Sequence, residues 1–151
     1  FIEAAIPTLA DPSLAPAGKH ILTALVQFAP YHLRDGEWND AARESLGDLT
    51  VKTLSQFAPN LQSQISTLHV LTPLDLESKH GLTEGHLYHG EMMLDQILIM
   101  RPIPGWAQYR TPIDGLYLCG SGTHPGGGIT GWPGRNAARE VLKDTKRERG
   151  I

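Results

Sequence analysis

The chain has 151 residues, enough for one domain with a sizeable core. With 40% hydrophobic and 19% charged residues it reads as globular rather than disordered, and a net charge of −3 gives no reason to expect nucleic acid or an acidic membrane surface as a partner. A single cysteine, Cys119, excludes an internal disulfide and a cysteine-based metal site, so the cytoplasm or another reducing compartment, an organelle matrix included, is the default setting. No stretch approaches the ~20 apolar residues of a membrane span, and no signal peptide is visible. The sequence opens at Phe1 in the apolar run FIEAAIP, as expected of a processed protein, an engineered expression product or a piece of something larger.

Residues 1–18 are rich in proline and small residues, with turn chemistry at Asp11-Pro12 and Pro16-Ala17-Gly18. His20–Tyr31, HILTALVQFAPY, predicts a central strand buried on both faces and closed by Pro30. Trp38–Phe57 predicts a helix, its apolar residues roughly following the helical period, with Gly47 weakening its middle and Pro59 ending it. Leu61–Leu71 alternates enough to predict a second strand. Thr72-Pro73 then opens a short helix, Leu74–His80, with Thr72 as its N-cap, and Gly81 and Gly85 break it.

Glu91–Met100, EMMLDQILIM, fits a short helix or an extended segment equally. Arg101–Trp106 is an irregular connector. Leu116–Cys119 predicts a short strand, Gly120–Gly131 a loop and Arg135–Lys143 a closing helix. The basic run Lys143–Arg149, KDTKRER, suits a helix C-terminus and a solvated tail. The fold class is therefore α/β or α+β: β-α-β with irregular segments, then a separate β-loop-α that begins near Gln108–Thr111. The last strand needs a neighbour to satisfy its backbone, from this chain, a partner chain or another domain.

The loop-to-helix segment GSGTHPGGGITGWPG carries seven glycines, at 120, 122, 126, 127, 128, 131 and 134. Glycine permits positive φ and lets backbone approach a ligand, but each one costs conformational entropy. A helix N-terminus directly after such a loop favours negative charge. A single turn needs one or two glycines, so seven favour ligand contact over a plain surface loop. A flavin fits twice over: its pyrophosphate is anionic, and its reduced ring carries negative charge near N1 and O2.

The stretch GLYLCGSGTHPGGGITGWPGRNAA resembles the C-terminal FAD-contacting motif of the phytoene desaturase-like FAD-dependent oxidoreductases, within the larger group that includes flavin amine oxidases, and in particular the pyridine nucleotide-disulfide oxidoreductase domain-containing protein 2 type. DPSLAPAGKHILTALVQFAPY at Asp11–Tyr31 and GHLYHGEMMLDQILIMRP at Gly85–Pro102 are similar to two further segments of that family, in the same order. The resemblance implies a partial FAD-oxidoreductase fold. Residues 1–108 would end the substrate domain, and 109–151 would form the last strand, glycine-rich loop and helix of the FAD domain. It implies that Gly120, Ser121, Gly122 and Thr123 pass the ribityl and pyrophosphate of FAD. Gly126, Gly127, Gly128, Ile129, Thr130 and Gly131 would lie against the isoalloxazine, with helix Gly134–Lys143 pointing its N-terminus at N1/O2. Many relatives carry an acidic residue where this chain has Ser121. The G-x-G-x-x-G unit that holds the ADP half in such enzymes is absent, since GSGTHPG carries a proline and comes too late.

His124 is the one candidate acid/base, set against a plain loop-shaping role for His-Pro; the catalytic residue is otherwise unknown. His86, His89 and Glu91 form an H-x-x-H-x-E cluster without further ligands of clear spacing, so no metal is expected. Tyr88, His89 and Asp95-Gln96 line the cavity beside the flavin or tie the connector down. Trp106 and Trp132 wall an apolar substrate cavity or pack a core. Cys119 is expected to be a small buried hydrophobe. Two functions follow. One is the C-terminal portion of an FAD-dependent oxidoreductase that removes hydride from a C–C or C–N bond of an apolar substrate, inactive by itself, binding FAD weakly or not at all alone, with an N-terminal FAD-binding half supplied elsewhere, in trans if the enzyme is split. The other is a stand-alone, non-catalytic ligand-binding or homo-oligomerising module, a homodimer in the simplest case.

Overall fold

The computed structural model describes residues 1–150 as a mixture of helices, short 3-10 turns and one small sheet. The chain divides into two compact units, Phe1–Lys79 and a second that begins at His80. The division expected at 108/109 concerns the domains of a larger enzyme and falls inside the second unit.

In the first unit, β1 (Ile2–Ala5) pairs antiparallel with β2 (Thr23–Val26), in register from Ile2 opposite Val26 to Ala5 opposite Thr23. Thr8, buried in the intervening turn, ties the ribbon's base: its hydroxyl lies 3.0 Å from His20 Nδ1 and accepts from Ile21 N–H at 3.3 Å. The strand expected over His20–Tyr31 thus exists only at its centre. It is a correction that it is not buried on both faces, since Thr23, Ala24 and Leu25 are exposed. A two-stranded ribbon has no further strand or layer to cover it.

Helix α1 (Asp40–Ser55) starts where Asn39 caps it, Asn39 Oδ1 accepting from Ala42 N–H at 2.9 Å. The strand expected over Leu61–Leu71 does not form. Leu61–Gln64 is a single helical turn, α2, and the residues beyond it run unpaired. Gly47 accounts for where they go: a Cβ there would lie 2.9 Å from both Leu68 Cδ2 and Val70 Cγ2. The glycine that weakens the helix lets this segment lie directly on it.

Helix α3 (Pro73–His80) begins as the sequence requires, with Thr72 before it and proline at its first position. Asp75 N–H donates to Thr72 Oγ1 (3.2 Å), while Thr72 N–H (2.9 Å) and its hydroxyl (2.7 Å) donate to Asp75 Oδ2, a reciprocal cap. Arg43 of α1 adds Nε and Nη2 to the same carboxylate, and Lys79 lies 3.4 Å away. The Thr72 backbone N–H, then its hydroxyl, then Arg43 and Lys79 hold the Asp75 carboxyl well below its ordinary value despite burial. A depressed value in the folded state gives stability that is complete at neutral pH and lost as pH falls below the ordinary carboxylate range. Asp75→Asn is therefore expected to cost about 1–3 kcal/mol at pH 7. Its urea midpoint is expected to converge on that of the parent chain as the pH is lowered.

The core anticipated from length is not enclosed within the chain. Among the described residues only Tyr109 and Ala137 are buried apolar side chains, while Phe28 and Phe57 are 89% and 85% exposed. In the second unit, Glu91–Met100 resolves into two 3-10 turns, Leu94–Gln96 and Leu98–Met100. The strand expected over Leu116–Cys119 is a correction as well: pairing is limited to one antiparallel bridge, Arg110 with Tyr117. The chain turns back at Ile113-Asp114-Gly115, so the nearest partner for this segment is the antiparallel arm before it. Helix α4 (Trp132–Glu148) closes the unit and is longer than expected at both ends.

Candidate functional site

The glycine-rich loop joins the Arg110–Tyr117 hairpin to α4, and three anchors fix it. The first is Tyr109. It is buried with φ +67°, a region unfavourable to an aromatic residue, and its hydroxyl donates to the His124 carbonyl at 2.8 Å while accepting from Asn136 Nδ2 of α4 at 2.8 Å. The second is Arg110. Its Nε and Nη2 each lie 2.8 Å from the Asp144 carboxylate, Nη1 lies 2.8 Å from Glu140 Oε2, and Tyr117 OH donates to Asp144 Oδ2 at 2.8 Å. Arg110 first and Tyr117 second lower the Asp144 carboxyl to about 2. Asp144 in turn raises the Tyr117 phenol, and Lys143 and Arg110 lower Glu140. The hairpin is thereby clamped to one face of α4.

The third anchor is Arg101. Its guanidinium donates to the carbonyls of Ser121 (Nε 3.0 Å, Nη2 2.8 Å), Tyr88 (2.7 Å) and His89 (3.3 Å), with Gln96 Oε1 at 3.5 Å from Nη1. The Gln96 amide also reaches the Pro102 carbonyl at 3.5 Å. Tyr88, His89 and Gln96 therefore take part in tying the connector and loop together.

Within the loop, Thr123 is buried and folds back, its N–H (3.0 Å) and hydroxyl (2.9 Å) both donating to the Gly120 carbonyl, and its own carbonyl accepts from Gly126 N–H at 2.7 Å. Gly126 is buried against Met92, and Gly127 lies against Tyr88 and Ser121. Gly128 (φ +110°) and Gly131 (φ +71°) flank Ile129 and Thr130. Ile129 has φ +57° and a fully exposed side chain, a costly conformation for a β-branched residue. Gly131 is the N-cap of α4 and supplies no side-chain bond; the Trp132 N–H donates to Thr130 Oγ1 at 3.3 Å. The first turn of the helix thus opens beside the loop with its positive dipole end.

His124 enters this arrangement through its carbonyl. His86 Nδ1 accepts from Tyr88 N–H at 3.2 Å, and among the described residues no group of three or more His, Cys, Asp or Glu side chains is placed to hold a metal ion. Trp106 and Trp132 are both partly exposed, with Arg135 4.7 Å from the Trp132 ring. Cys119, expected to be buried, is exposed, because the segment carrying it is the outer arm of a hairpin rather than a central strand. Sequence reasoning missed the anchors Arg101, Tyr109, Arg110 and Asn136. The pair Glu140 and Asp144, four apart on one helix face behind an upstream arginine, is the signal that could have found one of them.

No family model matches the chain, and no solved structure matches it. Among proteins of curated sequence, it is 43% identical over 147 residues to pyridine nucleotide-disulfide oxidoreductase domain-containing protein 2 of Rattus norvegicus, covering 97% of this chain and 25% of the relative. It is 32% identical over 139 residues to one subunit of the limonene dehydrogenase of Castellaniella defragrans (89% and 25%), and 28% over 140 residues to a lycopene-forming phytoene desaturase of a Paracoccus species (91% and 27%). The chain spans about a quarter of the length of the curated relatives it matches. No helix among the described residues is long and apolar enough to cross a membrane. By sequence this chain corresponds to the C-terminal portion of an oxidoreductase of the pyridine nucleotide-disulfide oxidoreductase domain-containing protein 2 and phytoene desaturase-like group.

Proposed function

We propose that the chain supplies the flavin-contacting C-terminal part of an FAD-dependent oxidoreductase of the dehydrogenase or desaturase kind. One observation carries this reading. The loop's glycines divide by the reason each is glycine. Gly126, Gly128 and Gly131 have positive φ, and Gly127 has no room for a Cβ. At Gly120, Gly122 and Gly134 neither reason applies: φ is not positive, and a Cβ would meet nothing of this chain within 4 Å. Gly134 also sits in the first turn of α4, where alanine would favour the helix by up to ~1 kcal/mol. Glycine at these three positions is explained by a ligand that approaches the backbone where the chain itself leaves open space.

FAD fits that cradle. Gly120–Thr123 would run along its ribityl and pyrophosphate, Gly126–Gly131 along the isoalloxazine, and the α4 N-terminus would favour negative charge at N1/O2. When bound, FAD supplies a hydride acceptor for a C–C or C–N bond of an apolar substrate. This chain's residues hold and orient it, and the exposed Ile129 and Trp132 offer an apolar wall beside the loop. Residues 1–108 would belong to the substrate domain and 109–151 to the FAD domain. Without a G-x-G-x-x-G unit the 151 residues alone bind FAD weakly or not at all, and a stoichiometric yellow flavin spectrum from them would overturn that part.

In the intact gene product containing these residues, Gly120→Ala and Gly122→Ala are expected to weaken FAD binding at least ten-fold in a fluorescence titration, with thermal unfolding unchanged. Gly134→Ala is expected to weaken FAD binding while raising stability by up to ~1 kcal/mol. Unchanged FAD affinity in all three sinks the reading. The exposed Phe1, Phe28 and Phe57 favour a second reading, a homo-oligomerising module. An obligate dimer by light scattering, with no affinity for FAD, is its signature.

A further inference from the structure

Arg101 is 1% exposed and heads the fully buried side chains by volume among the described residues. Each acceptor around it is neutral: three backbone carbonyls and the Gln96 amide oxygen. Among the described residues no carboxylate forms an ion pair with it. A buried guanidinium whose N–H groups are satisfied but whose charge is not balanced is unusual, because burial of a charge is repaid only by a counter-charge close by. Met and Leu alternatives would fill the volume without that cost.

Where the charge is directed is informative. Two of its N–H groups, Nε and Nη2, converge on one oxygen, the Ser121 carbonyl. Charge-assisted bonds to a carbonyl polarise its peptide and strengthen the N–H on the other side as a donor. That N–H belongs to Gly122, one of the three positions where the loop is open and glycine has no reason internal to the chain. The guanidinium at once grips Tyr88 and His89, against which Gly127 packs, so a single side chain sets both the height of the loop and the strength of its exposed donor.

We propose that Arg101 is a positioning residue that aims and polarises the Ser121–Gly122 peptide toward an electron-rich, anionic portion of the bound ligand, whose charge balances its own. The identification of that ligand as FAD rests on the function proposed above. The test compares Arg101→Gln, which removes the charge, with Arg101→Lys, which keeps the charge but reaches fewer carbonyls. Both are made in the intact gene product, checked by circular dichroism, and the lysine variant covers the case where the neutral one does not fold. Amide hydrogen exchange over residues 120–131 is expected to rise at least ten-fold in either variant. Arg101→Gln is expected to weaken FAD binding at least ten-fold and to lower the midpoint potential of the bound flavin, with Arg101→Lys closer to the parent in potential. Unchanged exchange in both variants overturns the proposal, and an unchanged potential in FAD-saturated Arg101→Gln overturns its electrostatic half. A parent protein that takes up no FAD sinks the flavin reading; raised loop exchange in the variants would then still support the hold of Arg101 on the loop, and unchanged exchange would overturn it.

Discussion

Gly127→Ala is expected to destabilise the unit that begins at His80 by about 1–3 kcal/mol and to displace the glycine-rich loop. A Cβ at this position would fall 2.6 Å from Tyr88 Cδ1 and 3.2 Å from Ser121 Oγ. Real contacts are never as short as the first of these, so something must move. Tyr88 has little freedom, because its carbonyl is held by Arg101 at 2.7 Å. Ser121 is held by the same guanidinium. The added methyl therefore works against the anchor that fixes the loop, and the lowered urea midpoint should come with faster amide exchange around Ser121–Thr123. Gly122→Ala, five residues earlier in the same loop, is expected to leave both measurements unchanged. A Gly127→Ala protein as stable as its parent would mean that the loop and the Tyr88 segment are not packed as described.

Arg110→Met is expected to produce a loss of similar size for an electrostatic reason. The guanidinium is shared by Asp144 and Glu140, so its removal strands two carboxylates that face one another across an empty place. Breaking a buried pair costs ~3–5 kcal/mol, but Arg110 and Asp144 keep about a third of their side-chain surface exposed, so solvent screening reduces the expectation to roughly 1–3 kcal/mol. The pH dependence identifies the mechanism. Asp144 titrates at about 2 in the folded chain against 3.8 ordinarily. Its contribution is complete above the ordinary value and is lost as the pH falls from there toward 2. Parent and variant should therefore differ fully at neutral pH and converge in acid. A gap independent of pH down to 2 would point to lost packing of the arginine stem instead.

What the sequence revealed of this architecture was mainly local. Helix α1 with its Asn39 cap, the Thr72-Pro73 start of α3 and the break at Gly81 follow from chemistry confined to four or five neighbouring residues, and these were legible. The expected strands were not, because a strand is defined by its partner. HILTALVQFAPY has the composition of a buried central strand, yet this chain gives it one neighbour and no cover. Leu116–Cys119 has the same character and meets only the arm that precedes it. The glycine-rich loop stood out by composition alone. Its anchors did not, since Arg101, Tyr109 and Arg110 reach residues between 12 and 34 positions away and carry no local pattern. Gly47 is the sharpest instance. In the sequence it is a flaw in a helix, and in the fold it is a place where a second segment comes to rest.

The exposure of Cys119 has a practical side. It is the sole sulfhydryl among 151 residues, and it stands on the surface one position before the loop begins. A maleimide fluorophore or nitroxide would therefore attach at a single address, with no cysteine to be engineered in or removed. Its emission or spectral line shape would report the state of the neighbouring backbone directly, and the rate of alkylation, followed with and without added FAD, would turn occupancy of the glycine cradle into a simple footprint.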